Sequence, residues 1–417
     1  MVAIDTAFLG RVGEVALGAG ALGGLFYLAV VMLGIGFGSG IQILIGRRNG
    51  EKKYSHIGRI VDHAFYFLLS LALILFLVIF FLAPDLLKFF IKSEKIYFGT
   101  LEFLRFRSWG IFFAFINVIF TSFYVGVVKT RILTYSTIIT AVTNTVLDYF
   151  LIFGNGGFPE MGIGGAALAS SIAELVAAIY FFIRTFYFED IPKFRLFRFT
   201  FFNSTLMKRM FRLSIPLMLQ NFMSFSAWFI FFMIIERLGQ HALAVSNICR
   251  SIYMLLIIPI WGFCSACNTL VSNTIGHGSF DNVIPLIKKI SIICFLFTLF
   301  IALLNIIAPR YILSVYTNDA SLIADSVKVL YVISVALIFF SVANVMFMGV
   351  SGTGNTKATF TFEIFAVSFY LITAYIFAVV FKTPVQYVWL AEFTYLIIIG
   401  TLSFIFLRSG KWKYAKI

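Results

Sequence analysis

Residues 132–153 read ILTYSTIITAVTNTVLDYFLIF, an apolar run whose one charged residue is Asp148. A helix of about 20 residues crosses the hydrocarbon core of a bilayer, so this run is long enough to span a membrane. Asn144 and Asp148 are four residues apart, which places an amide and a carboxylate on the same helical face. An ionisable side chain inside such a segment is costly and indicates a functional site.

Similar apolar runs make up most of the chain. Of its 417 residues, 61% are hydrophobic and 12% are charged, whereas soluble domains average about 45–50% and about 25%. This composition excludes a soluble enzyme and a disordered chain. We predict an all-α polytopic integral membrane protein with eleven full transmembrane helices and an N-terminal helix stub, Met1 to Leu9. The predicted spans lie at about residues 14–46, 62–83, 97–127, 132–153, 163–184, 213–235, 242–274, 290–308, 327–349, 360–381 and 385–407.

An internal repeat relates the two halves of the chain at an offset of 226 residues. Arg11-Val12-Gly13 aligns with Arg237-Leu238-Gly239, and Gly36-Phe37-Gly38-Ser39 aligns with Gly262-Phe263-Cys264-Ser265. An even number of spans separates the two copies, so we predict two pseudo-symmetric helical lobes of parallel topology.

The repeat also predicts the domain boundaries. They are an N-terminal lobe at 1–190, a basic connection at 191–212 and a C-terminal lobe at 213–417. The second copy begins with a complete helix, whereas its counterpart in the first copy is only the stub. We therefore expect about 20 further residues upstream of Met1.

The distribution of basic residues predicts the orientation. The net charge is +14, and Lys and Arg concentrate in the loops at 47–59 and 184–212 and in the tail, at Arg408, Lys411, Lys413 and Lys416. By the positive-inside rule, this multi-pass protein lies in the inner (cytoplasmic) membrane with a cytoplasmic C-terminus. The positive charge is assigned to membrane orientation, and nucleic acid is not a predicted partner.

Polar side chains near the outer face form the strongest candidate site. Asp5 lies on the stub, and Asp148 lies at a similar depth in its span, with Asn144 and Ser170 nearby. Two carboxylates, an amide and a hydroxyl offer only oxygen ligands, which suit a small hard cation or a proton. We predict that these four residues bind the coupling ion, with Asp5, Asn144 and Asp148 as metal ligands if the ion is Na⁺. The alternative is a polar cluster that only ties helices together.

Four further residues are candidates for a substrate cavity or for charge balance. Glu174 could join this network or bond a neighbouring helix, and Arg250 could balance a buried acid, contact substrate or extend to the interface. Trp228 and Trp261 could stack against flat cations, although lipid contact and packing are the alternative. The chain has no GxxxxGK[ST], GxSxG or HExxH motif, so an enzyme is not predicted.

Several motifs, in this order, resemble those of multidrug and toxic compound extrusion (MATE) transporters. They are Val2-Ala3-Ile4-Asp5-Thr6-Ala7-Phe8-Leu9-Gly10, Asn144-x-x-x-Asp148, Gly164-Gly165-Ala166-Ala167-Leu168-Ala169-Ser170, Pro216 and Gly349-Val350-Ser351-Gly352-Thr353-Gly354-Asn355-Thr356. The resemblance implies two six-helix lobes around a central cavity. It implies a secondary active antiporter that exports organic, cationic or amphipathic compounds in exchange for H⁺ or Na⁺ by alternating access.

The resemblance also carries the ion site onto Asp5, Asn144 and Asp148, with Ser170 in place of the family's usual Thr. One branch of the family has acids at positions that match Ser224 and about Val342 here. This chain is therefore similar to the prokaryotic DNA-damage-inducible branch, with its ion site in the N-terminal lobe only. We expect the protein to be a monomer and to need no cofactor other than the coupling ion. Its expected partners are a small-molecule substrate and the lipid bilayer. The alternative function is a lipid-linked oligosaccharide flippase of the same broad superfamily.

Overall fold

The computed structural model describes residues 2–187, 190–199, 201–317 and 319–414, so Met1 of the stub and Lys416 of the tail lie outside the described residues. Within these ranges, eleven helical segments are long and apolar enough to cross a membrane. Each overlaps one of the eleven predicted spans. The predicted all-α polytopic fold is therefore confirmed.

The chain divides into two compact units, of which the N-terminal unit comprises residues 1–49 and 53–211. A π-helical turn at Val78–Leu82 joins its third and fourth helices. The helices are α1 (Val2–Val12), α2 (Glu14–Gly50), α3 (Tyr54–Leu77), α4 (Ala83–Phe90), α5 (Glu94–Gly126), α6 (Arg131–Phe153), α7 (Gly162–Tyr187) and α8 (Asp190–Phe194).

The C-terminal unit comprises residues 50–52 and 212–417. The remaining helices are α9 (Ser204–Glu236), α10 (Gln240–Gly276), α11 (Val283–Ile307), α12 (Pro309–Ser314), α13 (Ala320–Gly352), α14 (Thr356–Tyr375), α15 (Val385–Val388) and α16 (Ala391–Arg408). A π-helical turn at Ile376–Val380 follows α14. The lobe boundaries expected at 190 and 213 stay a prediction.

The helices pack in the same order inside each unit. In the N-terminal unit, α7 packs against α5 and α6, and α3 packs against α5. In the C-terminal unit, α16 packs against α13 and α14, and α11 packs against α13. These helices correspond under the 226-residue offset, because α5, α6 and α7 align with α13, α14 and α16.

The segment between α8 and α9 is held against α3 by hydrogen bonds to its backbone. The backbone N–H groups of Phe197 and Phe199 each donate to a carboxylate oxygen of Asp62, both at 3.0 Å. The N–H of Asn203 donates to Nε2 of His63 at 2.8 Å. Phe197 and Phe199 have positive φ angles of 56° and 43°, a strained conformation for non-glycine residues. The buried Asp62 carboxylate thus stabilises a backbone conformation that the segment would not adopt alone.

Glycines on α2 allow α5 to approach closely. A Cβ atom at Gly34 would overlap the ring of Phe115, and one at Gly38 would overlap the side chains of Val118 and Ser122. Phe115 is fully buried, so its ring has little room to move away. Small residues at such positions let side chains of a neighbouring helix pack directly against the helix backbone, and in a bilayer such van der Waals contact drives helix association.

The substitution Gly34→Ala should therefore destabilise the N-terminal unit. It adds one methyl group into the Phe115 ring, and overpacking of this kind costs about 1–3 kcal/mol. Gly24→Ala is the matched control, because it lies on the same helix and its Cβ would meet nothing within 4 Å. Thermal unfolding of the purified protein in detergent should show a lower midpoint for Gly34→Ala alone. Equal midpoints for the two variants would contradict the close packing.

Candidate ion-binding site

Three helices of the N-terminal unit bring the predicted site residues together. The short helix α1, which carries Asp5, packs against α6 and α7, and α6 packs against α7. The approach of α7 to α6 depends on glycine, because a Cβ at Gly165 would lie 2.5 Å from the backbone oxygen of Leu151. This close packing brings Ser170 of α7 against the face of α6 that carries Asn144.

Asp5, Asn144, Asp148 and Ser170 form one cluster, called here the oxygen cluster. Ser170 Oγ donates a hydrogen bond of 2.9 Å to Oδ2 of Asp5. Asn144 Nδ2 donates to Ser170 Oγ at 3.4 Å. The carboxyl group of Asp148 interacts electrostatically with that of Asp5. The sequence-based expectation of four neighbouring residues therefore agrees with their positions, and their role as an ion site stays a prediction.

Four oxygen atoms of the oxygen cluster are buried and lack a donor. They are both carboxyl oxygens of Asp148, Oδ1 of Asp5 and Oδ1 of Asn144, and no donor from the described part of the chain reaches them other than a protonated carboxyl group of Asp5 or Asp148 itself. Asn144 and Asp148 are fully buried. Burying such acceptors unpaired costs several kcal/mol, roughly 2–7 for each polar group. Two adjacent carboxyl groups with unpaired oxygens can accept a proton or a cation, and either would remove this penalty.

The donor set distinguishes the oxygen cluster from a transition-metal site. Among the described residues, no group of three or more His, Cys, Asp or Glu side chains is arranged to hold a metal ion. Two carboxylates, one amide oxygen and one hydroxyl are hard ligands, which favour ions that bind oxygen.

Glu174 bonds a neighbouring helix, one of the two roles considered for it. Its carboxylate forms a bidentate ion pair with Arg107 of α5, with N–O distances of 2.6 and 2.9 Å. Tyr27 of α2 donates to the same carboxylate at 3.3 Å, and the Arg107 guanidinium lies 3.9 Å from the centroid of the Tyr27 ring. The negative charge of Glu174 is therefore balanced inside the N-terminal unit.

Arg107 is the residue that sequence reasoning missed. It is buried, its Nη1 lies 3.5 Å from Ser171 Oγ, and it interacts electrostatically with Asp5. The available signal was its position inside the predicted span 97–127, because a cation at that depth needs a partner. The spacing of 67 residues to Glu174 gives no pattern that could have named the partner.

A sequence profile of the family described as MatE matches residues 1–150 and 216–376. Together the matched residues cover well over half of the chain. The chain belongs to the MatE family. It is therefore a polytopic membrane transporter of that family and not an enzyme, as the motifs indicated.

Individual relatives agree with this assignment. The chain is 26% identical to the probable multidrug resistance protein NorM of Thermotoga maritima over 98% of this chain and 88% of that protein. It is 33% identical to the NorM protein of Listeria innocua over 41% of this chain and 38% of that protein.

Solved structures share the fold of this MatE-family chain. An outward-facing multidrug resistance MATE family transporter superposes with a TM-score of 0.89 at 19% identity, covering 97% of this chain and 90% of that one. A transporter of the MOP superfamily from Pyrococcus furiosus gives a TM-score of 0.88 at 20% identity, with the same coverage. At these identities the likeness establishes the fold.

The three candidates in the C-terminal unit of this MatE-family chain have different surroundings. Trp228 stacks on Tyr253 with ring centroids 5.8 Å apart, and the Arg250 guanidinium lies 4.8 Å from the centroid of the Phe232 ring. Trp261 is 49% exposed. Trp228 and Arg250 thus contact aromatic neighbours within their own unit, and their role in a substrate cavity stays a prediction.

Breaking the Arg107–Glu174 pair from one side should strongly destabilise the protein. Arg107→Met leaves a buried carboxylate without its cation, which costs about 3–5 kcal/mol. The double variant Arg107→Met/Glu174→Met removes both charges and should recover most of that loss. The measurement is the free energy of unfolding in mixed micelles for both single variants and the double variant.

The pair Lys328–Asp325 supplies the control for that cycle. Its N–O distance is 2.9 Å, but its side chains are 56% and 36% exposed. Lys328→Met should therefore change the free energy of unfolding by less than about 1 kcal/mol. If the losses from Arg107→Met and Glu174→Met simply add in the double variant, the two residues are not energetically coupled.

Proposed function

We propose that this chain is an antiporter that exports organic, cationic or amphipathic compounds in exchange for H⁺ or Na⁺. The coupling ion binds at the oxygen cluster, where Asp5 and Asp148 supply charge and Asn144 and Ser170 supply neutral oxygen ligands. The chain works by alternating access, and the resemblance to the DNA-damage-inducible branch supports an ion site in the N-terminal half.

The observation that carries this proposal is the group of four buried, unpaired oxygens in the oxygen cluster. A cluster whose only task was to tie helices together would be expected to satisfy its acceptors with donors from the neighbouring helix. Here the oxygens of Asp148 meet a second carboxyl group instead. Two adjacent carboxylates resist being ionised together, so the cluster takes up positive charge readily.

The names of the relatives support the substrate class. The Thermotoga and Listeria proteins are named as probable multidrug resistance proteins, and we infer organic compounds as substrates of this chain too.

Transport follows if the ion and the substrate bind the inward-open and outward-open states differently. A bound ligand shifts a conformational equilibrium only through its differential affinity for the two states. When the inside of the cell is negative, each positive charge that enters releases about 2.3 kcal/mol of free energy per 100 mV of membrane potential. Neutralising the oxygen cluster with an entering ion is the step that links this free energy to the return of the ion-loaded, substrate-free carrier to the inward-open state.

Basic loops support the orientation that this mechanism needs. The segments 47–59 and 184–212 are rich in Lys and Arg, which favours a cytoplasmic location for both and for the C-terminus. The chain then lies in the cytoplasmic membrane with the oxygen cluster towards the outer face. An ion that enters from outside would reach Asp5 and Asp148 before it crossed the bilayer.

Asp148→Asn tests this function directly. It keeps the size of the side chain and removes the charge, so coupled transport should slow at least about tenfold. The measurement is efflux of ethidium from proteoliposomes under separately imposed Na⁺ and pH gradients. The gradient that drives the unmodified protein identifies the coupling ion.

Asp281→Asn is the matched control, since it makes the same chemical change at a side chain that is 98% exposed. It should transport at the native rate. Size-exclusion profiles of both variants verify folding and membrane extraction. Native-rate efflux by Asp148→Asn under both gradients would show that the oxygen cluster is only structural.

A further inference from the structure

A second buried carboxyl group lies in the C-terminal unit. Glu363 of α14 is 1% exposed, and its Oε1 lies 2.5 Å from Ser224 Oγ of α9. The hydroxyl of Tyr395, from α16, lies 3.2 and 3.1 Å from the two carboxyl oxygens. Three helices therefore converge on one acid in the core of this unit.

No cation accompanies this acid. In the part of the chain that the structure describes, the groups that interact with Glu363 are the hydroxyls of Ser224 and Tyr395, and neither is positively charged. An ionised carboxylate that is buried without a cation is expensive. Glu363 therefore differs from Glu174, whose charge is balanced by Arg107. Binding a proton would remove the cost of a buried negative charge at Glu363.

The position of Ser224 gives the Glu363 carboxyl group a hydrogen-bond partner in both its ionised and its protonated state. Ser224 Oγ lies 2.5 Å from Glu363 Oε1 and 2.9 Å from the backbone oxygen of Gln220. A serine hydroxyl has one hydrogen to donate and can also accept. When Glu363 is ionised, Ser224 donates to it. When Glu363 is protonated, its O–H donates to Ser224 Oγ, and Ser224 donates to Gln220 instead.

Tyr395 completes this two-state arrangement. Because it contacts both oxygens of Glu363, its hydroxyl can donate to whichever oxygen does not carry the proton. Every polar atom of the Ser224–Glu363–Tyr395 group thus has a partner in both states. A proton can bind and leave without creating an unpaired buried group, which would otherwise cost about 1–3 kcal/mol.

The buried titratable groups nearest to Glu363 and Tyr395 are an acid and two phenols. Glu392 of α16 is 5% exposed and accepts a hydrogen bond of 3.3 Å from Tyr370 of α14. Tyr253 of α10 also bonds to Glu392. On α13, which packs on α14 as well, the charged residues are Asp325 and Lys328. Asp325 pairs both with Lys328 and with His241 of α10.

A further unpaired acceptor lies on the same face of α9. Gln220 precedes Ser224 by one turn, and Phe231, two turns beyond Ser224, stacks on Tyr370 at 5.2 Å. This face of α9 therefore points towards α14. Gln220 is 5% exposed, and its Oε1 is buried without a hydrogen-bond donor from the described residues. It is an unpaired side-chain oxygen one helical turn from Ser224.

We propose that Glu363 is a second proton-binding site of this transporter, built by α9, α14 and α16 and independent of the oxygen cluster. The acid–base step is simple: a lone pair of a Glu363 carboxylate oxygen takes up one proton, and the resulting O–H donates to Ser224. A proton fits better than a metal ion, because two hydroxyl groups lie within hydrogen-bonding distance of the carboxyl oxygens and only one carboxylate supplies negative charge.

This site differs from the expectation that only the N-terminal half binds the coupling ion. That expectation considered the positions of Ser224 and Val342, which carry no acid. The carboxyl group comes from α14 and contacts Ser224 across a sequence separation of 139 residues. The consequence for transport rests on the proposed antiport function, whereas proton binding by Glu363 does not.

Infrared difference spectroscopy of the purified protein in nanodiscs tests the proposal without transport. Spectra recorded as the pH is changed should contain a C=O stretching band of a protonated, buried carboxyl group. Glu363→Gln should remove that band, both alone and in an Asp148→Asn background, because the two sites are independent. Tyr395→Phe should keep the band and move it to higher frequency, since the carbonyl loses a hydrogen bond.

Glu392→Gln is the matched control, because Glu392 is a buried acid of the same unit with phenolic partners and no serine of this kind. It should leave the Glu363 band in place. Size-exclusion profiles verify that each variant is folded. Unchanged difference spectra in Glu363→Gln would overturn the proposal, and so would loss of the same band in Glu392→Gln.

A transport measurement on the same variants distinguishes failure of this inference from failure of the proposed function. Ethidium efflux driven by a pH gradient should slow several-fold in Glu363→Gln, while Asp148→Asn alone keeps the Glu363 band. If both Asp148→Asn and Asp281→Asn transport normally but the Glu363 band is present, the assignment of the coupling ion to the oxygen cluster fails and the second proton site stands. If Asp148→Asn blocks efflux and the band is absent, the reverse holds.

Discussion

The interior of a bilayer contains almost no water, and this constraint underlies the rest of the structure. Every polar group placed there must find a partner within the protein. Backbone groups meet this requirement by forming helices, which explains the eleven long helical segments. Side chains such as Glu174 and Glu363 meet it only through neighbouring helices, whereas the carboxyl oxygens of Asp148 lack hydrogen-bond donors among the described residues. Buried polar side chains differ in how, and whether, they find such a partner, and these differences are the most informative about function.

Close helix packing is what allows buried polar groups to meet. Gly34 and Gly38 bring α2 against α5, and this pairing lets Tyr27 of α2 reach the Arg107–Glu174 ion pair. Gly165 brings α7 against α6 in the same way. Small residues thus act indirectly on the chemistry of the N-terminal unit, because larger ones would separate the helices that carry its charged side chains.

Three buried acids illustrate three ways of handling negative charge. Glu174 forms a bidentate ion pair with Arg107, which balances its charge inside the N-terminal unit. Asp148 meets another carboxyl group and has unpaired oxygens, which suits a site that is neutralised only when an ion arrives. Glu363 is surrounded by hydroxyls that can reverse the direction of their hydrogen bonds. The last two arrangements are compatible with reversible binding, and the first is not.

The sequence alone determined the features that depend on local periodicity. Apolar runs gave the eleven spans, the offset of 226 residues gave the correspondence between helices, and the spacing of Asn144 and Asp148 placed both on one face of α6. Only the tertiary structure decided which distant side chains meet. Arg107 and Glu174 are 67 residues apart, and Ser224 and Glu363 are 139 apart. Such contacts depend on how helices pack and rotate against one another, which no periodic pattern within a single helix records.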